Sequence, residues 1–282
     1  MDKFIRTNGL NLHYLDHPGG EPALVLLPGL TANAHEFDGL IAAGLSPHFR
    51  VIALDLRGRG LSDKPEQGYT MADHAADVIG LLDALDMEQV VLVGHSFGAL
   101  LAIYIGSQYP DRVSRMALID VSEAATQPKT AELIKPSLDR LGRILPSWEV
   151  YKQEMQKMPY LDGFWDDSLE AYFRADMQSN DDGTVQARAQ PGLIAQAFDA
   201  VINEPWGDHI KAAGQPAVLI NAPGPYGPPG APVLVAAEDA QATAAGFPDC
   251  RYIQVPGNHV TMVFGPNAPK VVDVLTEFLS EV

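Results

Sequence analysis

Ser96 stands between two glycines in VVLVGHSFGALLA, and the spacing of Gly94, Ser96 and Gly98 is that of a serine turned outward on a tight bend. The apolar run before it reads as a buried strand and the run after it as a helix, so the bend joins strand to helix. In that setting the glycines allow close backbone approach, and the first N–H groups of the helix face any negative charge developing beside the hydroxyl. The chemistry on offer is nucleophilic attack on an acyl carbon. A serine hydroxyl is weak alone; it needs a general base, and the base needs an acid to orient it. The chain holds 8 histidines and 36 acidic residues, so the elements that position them have to narrow the choice.

Short apolar runs bounded by turn residues recur at Ala23 to Leu27, Val51 to Leu56, Val90 to Val93, Met116 to Val121, Ala217 to Ile220 and Arg251 to Val255. These predict buried strands. Helical patterns such as MADHAADVIGLLDAL and FGALLAIYIGSQY lie between several of them, the alternation of an α/β chain with a mainly parallel central sheet flanked by helices. KFIRTNGLNLHYLDH reads as an antiparallel hairpin leading in. From about Ser122 to Ala212 the pattern turns helical with no convincing strand, in WEVYKQEMQKM, SLEAYFRADM and PGLIAQAFDAVI. Residues 1–121 and 213–282 are therefore expected to form the core. Residues 122–212 form an inserted helical cap over the strand ends, where open α/β sheets bind ligands.

A net charge of −17 argues against a nucleic-acid or anionic-membrane partner, both of which need a basic footprint. The start MDKFIRTNGLNLHY lacks the long apolar segment of a signal peptide or anchor, and one cysteine, Cys250, excludes an internal disulfide. The expectation is a cytoplasmic monomer or homodimer acting on a small molecule, with Cys250 structural. DLRGRGLSDKP has neither the phosphate-loop nor the dinucleotide spacing, so Gly58 and Gly60 are read as turn formers. No His, Cys and carboxylate cluster has a convincing metal-ligand spacing, and no cofactor or metal is expected. The acidic pairs Asp166-Asp167 and Asp181-Asp182 read as helix-start and turn charges.

With the elbow in this context, the chain resembles the α/β-hydrolase fold family over nearly its whole length, in its serine-nucleophile branch with a helical cap. LVLLPGLTAN resembles the family's oxyanion-loop strand, with Pro28 where a histidine usually stands, and DLRGRGLSDKP resembles the segment after the next core strand. The resemblance implies that the N–H groups of Leu30 and Phe97 form the oxyanion hole. It also implies that His259, after the last strand in RYIQVPGNHVTM, is the base; this stretch is similar to the same segment of acyl thioesterases. His95, inside the elbow, is expected to point into the sheet and at most to tune the site. The other six histidines are read as surface or packing residues.

Most relatives carry the acid after the strand that follows the cap. Here that strand is PAVLINA, and PGPYGPPG after it has no carboxylate. Asp239 in APVLVAAEDA is the nearby alternative, but a parallel crossover needs a dozen or more residues. Pro232 to Phe247 is therefore read as the crossover helix, with Asp239 in solvent. Asp120, ending MALID, takes the role, as in thioesterase domains and certain small-amide hydrolases that this region resembles. The implied activity is cleavage of a small carboxylic ester or related acyl bond through an acyl-enzyme. Carbon-carbon or amide hydrolysis is second. A non-turnover ligand receptor and a cofactor-free oxygenase of the same fold are the rivals from other classes. The cap aromatics Trp148, Tyr151, Tyr160, Phe164, Trp165, Tyr172 and Phe173 are expected mainly to pack helices, about a third of them facing a pocket.

Overall fold

The computed structural model describes residues 1–128, 130–161 and 163–280. In chain order its strands are β1 Asp2–Thr7, β2 Leu10–His17, β3 Gly20–Leu27, β4 Phe49–Leu54, β5 Val90–His95, β6 Val113–Ile119, β7 Met177–Ser179, β8 Val185–Ala187, β9 Ala217–Asn221 and β10 Cys250–Gln254. Eight form one sheet in the order β1-β2-β4-β3-β5-β6-β9-β10, with β1 and β2 antiparallel and every pair from β4 to β10 parallel. This is the α/β-hydrolase fold. Asn8 and Gly9, both at positive φ, close the leading hairpin in the left-handed conformations such a two-residue turn requires.

The central strands read as unbroken apolar runs because both of their faces are covered. Val25 and Leu27 of β3 pack with the helices Met71–Ala84 and Phe97–Gln108, whereas Leu24 and Leu26 face the opposite core with the helix Ala268–Ser280. Successive side chains of a strand point to opposite faces, so each face receives its own row. Thr70 caps the Met71–Ala84 helix in a reciprocal box with Asp73.

Between β6 and β9 lie helices including Trp148–Met155, Asp167–Asp176, Pro191–Asn203 and Trp206–Ala212. This stretch is not wholly helical, as the sequence suggested: β7 and β8 form a small antiparallel hairpin. Its turn places Asp182 where its carboxylate accepts from the N–H and hydroxyl of Thr184, and strands of three residues are too short to show a period. Asp166 caps the preceding helix, Asp167–Asp176, by accepting from the N–H of Leu169. The crossover helix also differs from the expectation of Pro232 to Phe247. It runs over Ala237–Ala245 only, because the carbonyls of Pro232 and Val235 accept from the N–H of Tyr226 and the amide of Asn221 instead of continuing a helix. Asp239 is part-buried on that helix rather than fully in solvent.

Candidate active site

Three strand ends carry the residues that could react. At the end of β5 the chain turns from strand to helix through Ser96, whose φ of 53° and ψ of −114° are strained for any side chain. The flanking glycines make the turn possible. A Cβ on Gly94 would meet the Gly98 carbonyl oxygen at 2.2 Å, and one on Gly98 would meet that of Leu27 at 1.9 Å. The bend is thereby pressed against the end of β3, and Ser96 Oγ projects above the sheet.

One strand over, Asp120 leaves the end of β6 in the left-handed region, φ 49°. Its backbone N–H donates to Ile220 at 2.7 Å, locking it to β9. The carboxylate is 1% exposed and fully engaged: Oδ1 accepts from Asn221 Nδ2 and from the N–H of Ala222, each at 2.8 Å, and Oδ2 accepts from His259 Nδ1 at 2.7 Å. The segment after β9, which lacks a carboxylate of its own, supplies instead the donors that hold the carboxylate of the neighbouring strand.

His259 follows β10, and its Nε2 accepts from Ser96 Oγ at 3.0 Å. Since a carboxylate only accepts, Nδ1 bears the proton and Nε2 is left free as base. Burial pulls the imidazole below its ordinary value, with the hydrogen bond it donates to Asp120 opposing and the nearby His95 reinforcing that shift. The N–H groups of Leu30 and Phe97 make no hydrogen bond among the described residues, and both residues line the cavity onto which Ser96 opens. The serine, the base, the acid and two free donors thus meet at one point.

Two features supporting this point were not singled out from the sequence. Arg59 is fully buried, and its Nε donates to the Leu30 carbonyl at 3.0 Å while its guanidinium lies 5.0 Å from the Phe97 ring centroid. It therefore braces both residues of the expected oxyanion hole; burial without a carboxylate partner brings its pKa down to about 9. Arg140, in the stretch between β6 and β9, is paired with Asp176 and Tyr151 and donates to the Thr31 carbonyl at 3.0 Å, tying that stretch to the same loop. Arg59 lies in a segment read only for its glycines. Gly60 packs so tightly over Asp55 that a Cβ would stand 2.0 Å from the carboxylate, which leaves no phosphate cradle there.

The cavity, about 120 Å³, is walled by Leu100, Val121, Ile134, Leu138, Phe198 and Val235, with Arg140 and several hydroxyls as its polar part. Of the seven aromatics singled out between β6 and β9, Tyr160, Tyr172 and Phe173 line it; Trp165 stacks behind on Phe173. Another serine, histidine and acid stand together at Ser107, His209 and Glu204, at 2.9 and 3.1 Å. There Ser107 Oγ donates to the Tyr104 carbonyl within an ordinary helix and does not line the cavity, so side-chain distances alone do not make a nucleophile. Cys250, whose thiol burial pushes up to about 12, is no rival. Among the described residues no group of three or more His, Cys, Asp or Glu could hold a metal ion, and no helix is long and apolar enough to cross a membrane.

Comparison with known proteins agrees with the architecture. A family model described as alpha/beta hydrolase fold matches residues 22–149. The 2-(acetamidomethylene)succinate hydrolase of Mesorhizobium japonicum is 42% identical over 102 residues, 36% of this chain and 36% of that protein. The N-formylmaleamate deformylase of Pseudomonas putida is 38% identical over 117 residues, 41% of this chain and 43% of that protein. The matched stretches thus span less than half the length of either relative. The crystal structure of E-2-(acetamidomethylene)succinate hydrolase superposes with a TM-score of 0.84 over 100% of this chain and 99% of that one, at 23% identity, a likeness of fold.

Proposed function

We propose that this chain, which has the α/β-hydrolase fold and matches that fold's family model over residues 22–149, is a serine hydrolase working through an acyl-enzyme, with a small amide as its substrate ahead of an ester. The observation that carries the first half is the hydrogen-bonded line from Ser96 Oγ through His259 to Asp120, opening on a cavity beside the free N–H groups of Leu30 and Phe97. In this reading His259 takes the Ser96 proton as Oγ attacks the acyl carbon. Asp120 stabilises the imidazolium, and the two N–H groups receive the oxyanion, each such donor being worth about 10²- to 10³-fold. The imidazolium then returns the proton to the departing amine or alcohol, and water, activated in the same way, releases the acid. The choice of bond rests on the relatives, one named for hydrolysing an acetamido compound and the other for deformylating an N-formyl compound; they favour the amide over the ester that the sequence reading put first. Residues 122–212 are the proposed cap, supplying Arg140 and the three pocket aromatics.

The test is a panel of N-acyl enamines, simple amides, esters, lactones and thioesters, with mass spectrometry of the Ser96 peptide after rapid quenching. The expected result is highest kcat/KM on an amide and acyl mass on Ser96. Near wild-type turnover by a Ser96→Ala protein refutes the nucleophile; an ester preference of tenfold or more refutes the choice of bond.

A further inference from the structure

His95 precedes the nucleophile and is 3% exposed; rather than pointing into the sheet, its ring lies beside that of His259 and lines the same cavity as Ser96. Each of its ring nitrogens meets an acceptor. Nδ1 lies 3.0 Å from Glu36 Oε1, and Nε2 lies 2.8 Å from the backbone carbonyl oxygen of His259. A carbonyl can only accept, and so can an ionised carboxylate, whereas a neutral imidazole has a single N–H to give. Satisfying both contacts takes either an imidazolium or a protonated Glu36. The other oxygen of Glu36 decides between them: Oε2 accepts the N–H of Gly29 at 2.9 Å, and a hydrogen bond to the charged form favours the carboxylate.

We propose that His95 is a positioning residue held as an imidazolium by Glu36, and that its two N–H groups fasten the loop of the catalytic base to the oxyanion loop. This rests on the reading of Ser96, Asp120 and His259 as the catalytic line. Gly29 immediately precedes Leu30, so the chain of contacts runs from the oxyanion loop through Glu36 and His95 to the main chain of His259 itself. The groups facing the pair from the surrounding elements are Asp120 at the end of β6, the His259 ring with its centroid 4.7 Å from that of His95, and Tyr172 of the cap, whose phenol feels the Glu36 charge. Burial lowers the His95 pKa, but the Glu36 charge and hydrogen bond, Asp120 and the His259 carbonyl outweigh it and the net shift is upward. The positive ring in turn opposes protonation of His259 and keeps the base free.

The sign of the pH effect follows. A histidine whose pKa is raised on folding contributes fully below its unfolded value and loses that contribution as pH rises through the folded value. If the charged ring also holds the base loop in its working position, kcat is expected to fall on an alkaline limb as His95 loses its proton. A side chain that merely fills space would set no such limb.

Two measurements test this on the intact protein. In the wild type at pH 7, where an ordinary histidine of pKa about 6.5 is mostly neutral, ring-nitrogen NMR should find His95 carrying protons on both nitrogens while His259 carries one. An unprotonated ring nitrogen on His95 overturns the proposal, and this arm stands whether or not Ser96 proves to be the nucleophile. Glu36→Gln should move the alkaline limb toward neutrality and lower kcat by about 10- to 100-fold, the scale of a roughly 1 Å misplacement, with KM changed by less than about twofold. Glu36→Asp should recover part of the limb. An alkaline limb unmoved in a folded Glu36→Gln protein refutes the role.

Discussion

Replacing Asp120 by asparagine removes a charge while leaving a shape. The new amide oxygen can still accept from Asn221 Nδ2 and the Ala222 N–H, and asparagine tolerates the left-handed backbone found at this position, so the fold should survive. What changes is the contact to His259. The carboxylate oxygen now 2.7 Å from Nδ1 becomes an amide NH₂, which needs a lone pair there and drives the ring proton to Nε2, facing Ser96. The base is then blocked. Charge adds to the loss: an imidazolium and a carboxylate about 4 Å apart attract by about 4 kcal/mol at an effective dielectric near 20, which at about 1.4 kcal/mol per tenfold is close to 10³ in rate. With the tautomer included, the expected fall in kcat is about 10³- to 10⁴-fold, the upper figure being that of the serine-protease template. KM should change little, because the carboxylate is buried behind the ring. The assay is kcat on one activated amide and one activated ester, with circular dichroism and a melting curve to verify folding. Asp239→Asn is the control and should be nearly silent, its carboxylate having no hydrogen-bond partner among the described residues. A folded Asp120→Asn protein within tenfold of wild-type kcat, or a crippled Asp239→Asn, refutes the reasoning.

Two further outcomes follow from burial. Since burial, reinforced by His95, holds His259 below its ordinary value, kcat/KM should stay on its plateau as pH falls to about 6.5 and decline only below it; a limb centred at pH 7 or higher in wild-type protein contradicts this. Asp176→Asn leaves the Arg140 guanidinium, 2% exposed, without its counter-charge, and breaking one side of a buried pair costs about 3–5 kcal/mol. Chemical denaturation should show that loss, and stability within about 1 kcal/mol of wild type would mean that the structure around Arg140 can reorganise.

Five of the six apolar runs placed core strands because burial on both faces writes itself into composition, whereas Arg251 to Val255 became the edge strand β10, which is only partly buried. Their ends were less legible. Val51 to Leu56 was expected where the strand is Phe49–Leu54, because Asp55 leaves the sheet to accept from the N–H groups of Ala34 and Leu61 and from His13. Met116 to Val121 was expected where the strand ends at Ile119, since Asp120 turns into the left-handed region to reach β9. Around Asp239, Leu234 and Val235 wall the cavity as loop residues, a use that neither strand nor helix periodicity can signal. Ser96 was visible through its own glycines. Glu36, Asn221 and Arg59 were not, because their partners stand 59, 101 and 29 residues away and no local pattern encodes such a pairing.

The contact between Asp120 and Asn221 is a carboxylate accepting from an amide across two adjacent parallel strands, and it has a symmetry of exchange. Trading the two side chains conserves atoms, donor, acceptor and net charge while passing the negative charge from β6 to β9. Asn221 Nδ2 also donates to the Val235 carbonyl, so a carboxylate at 221 would face an acceptor there; for a designer, relocating the charge means supplying that carbonyl with a new donor.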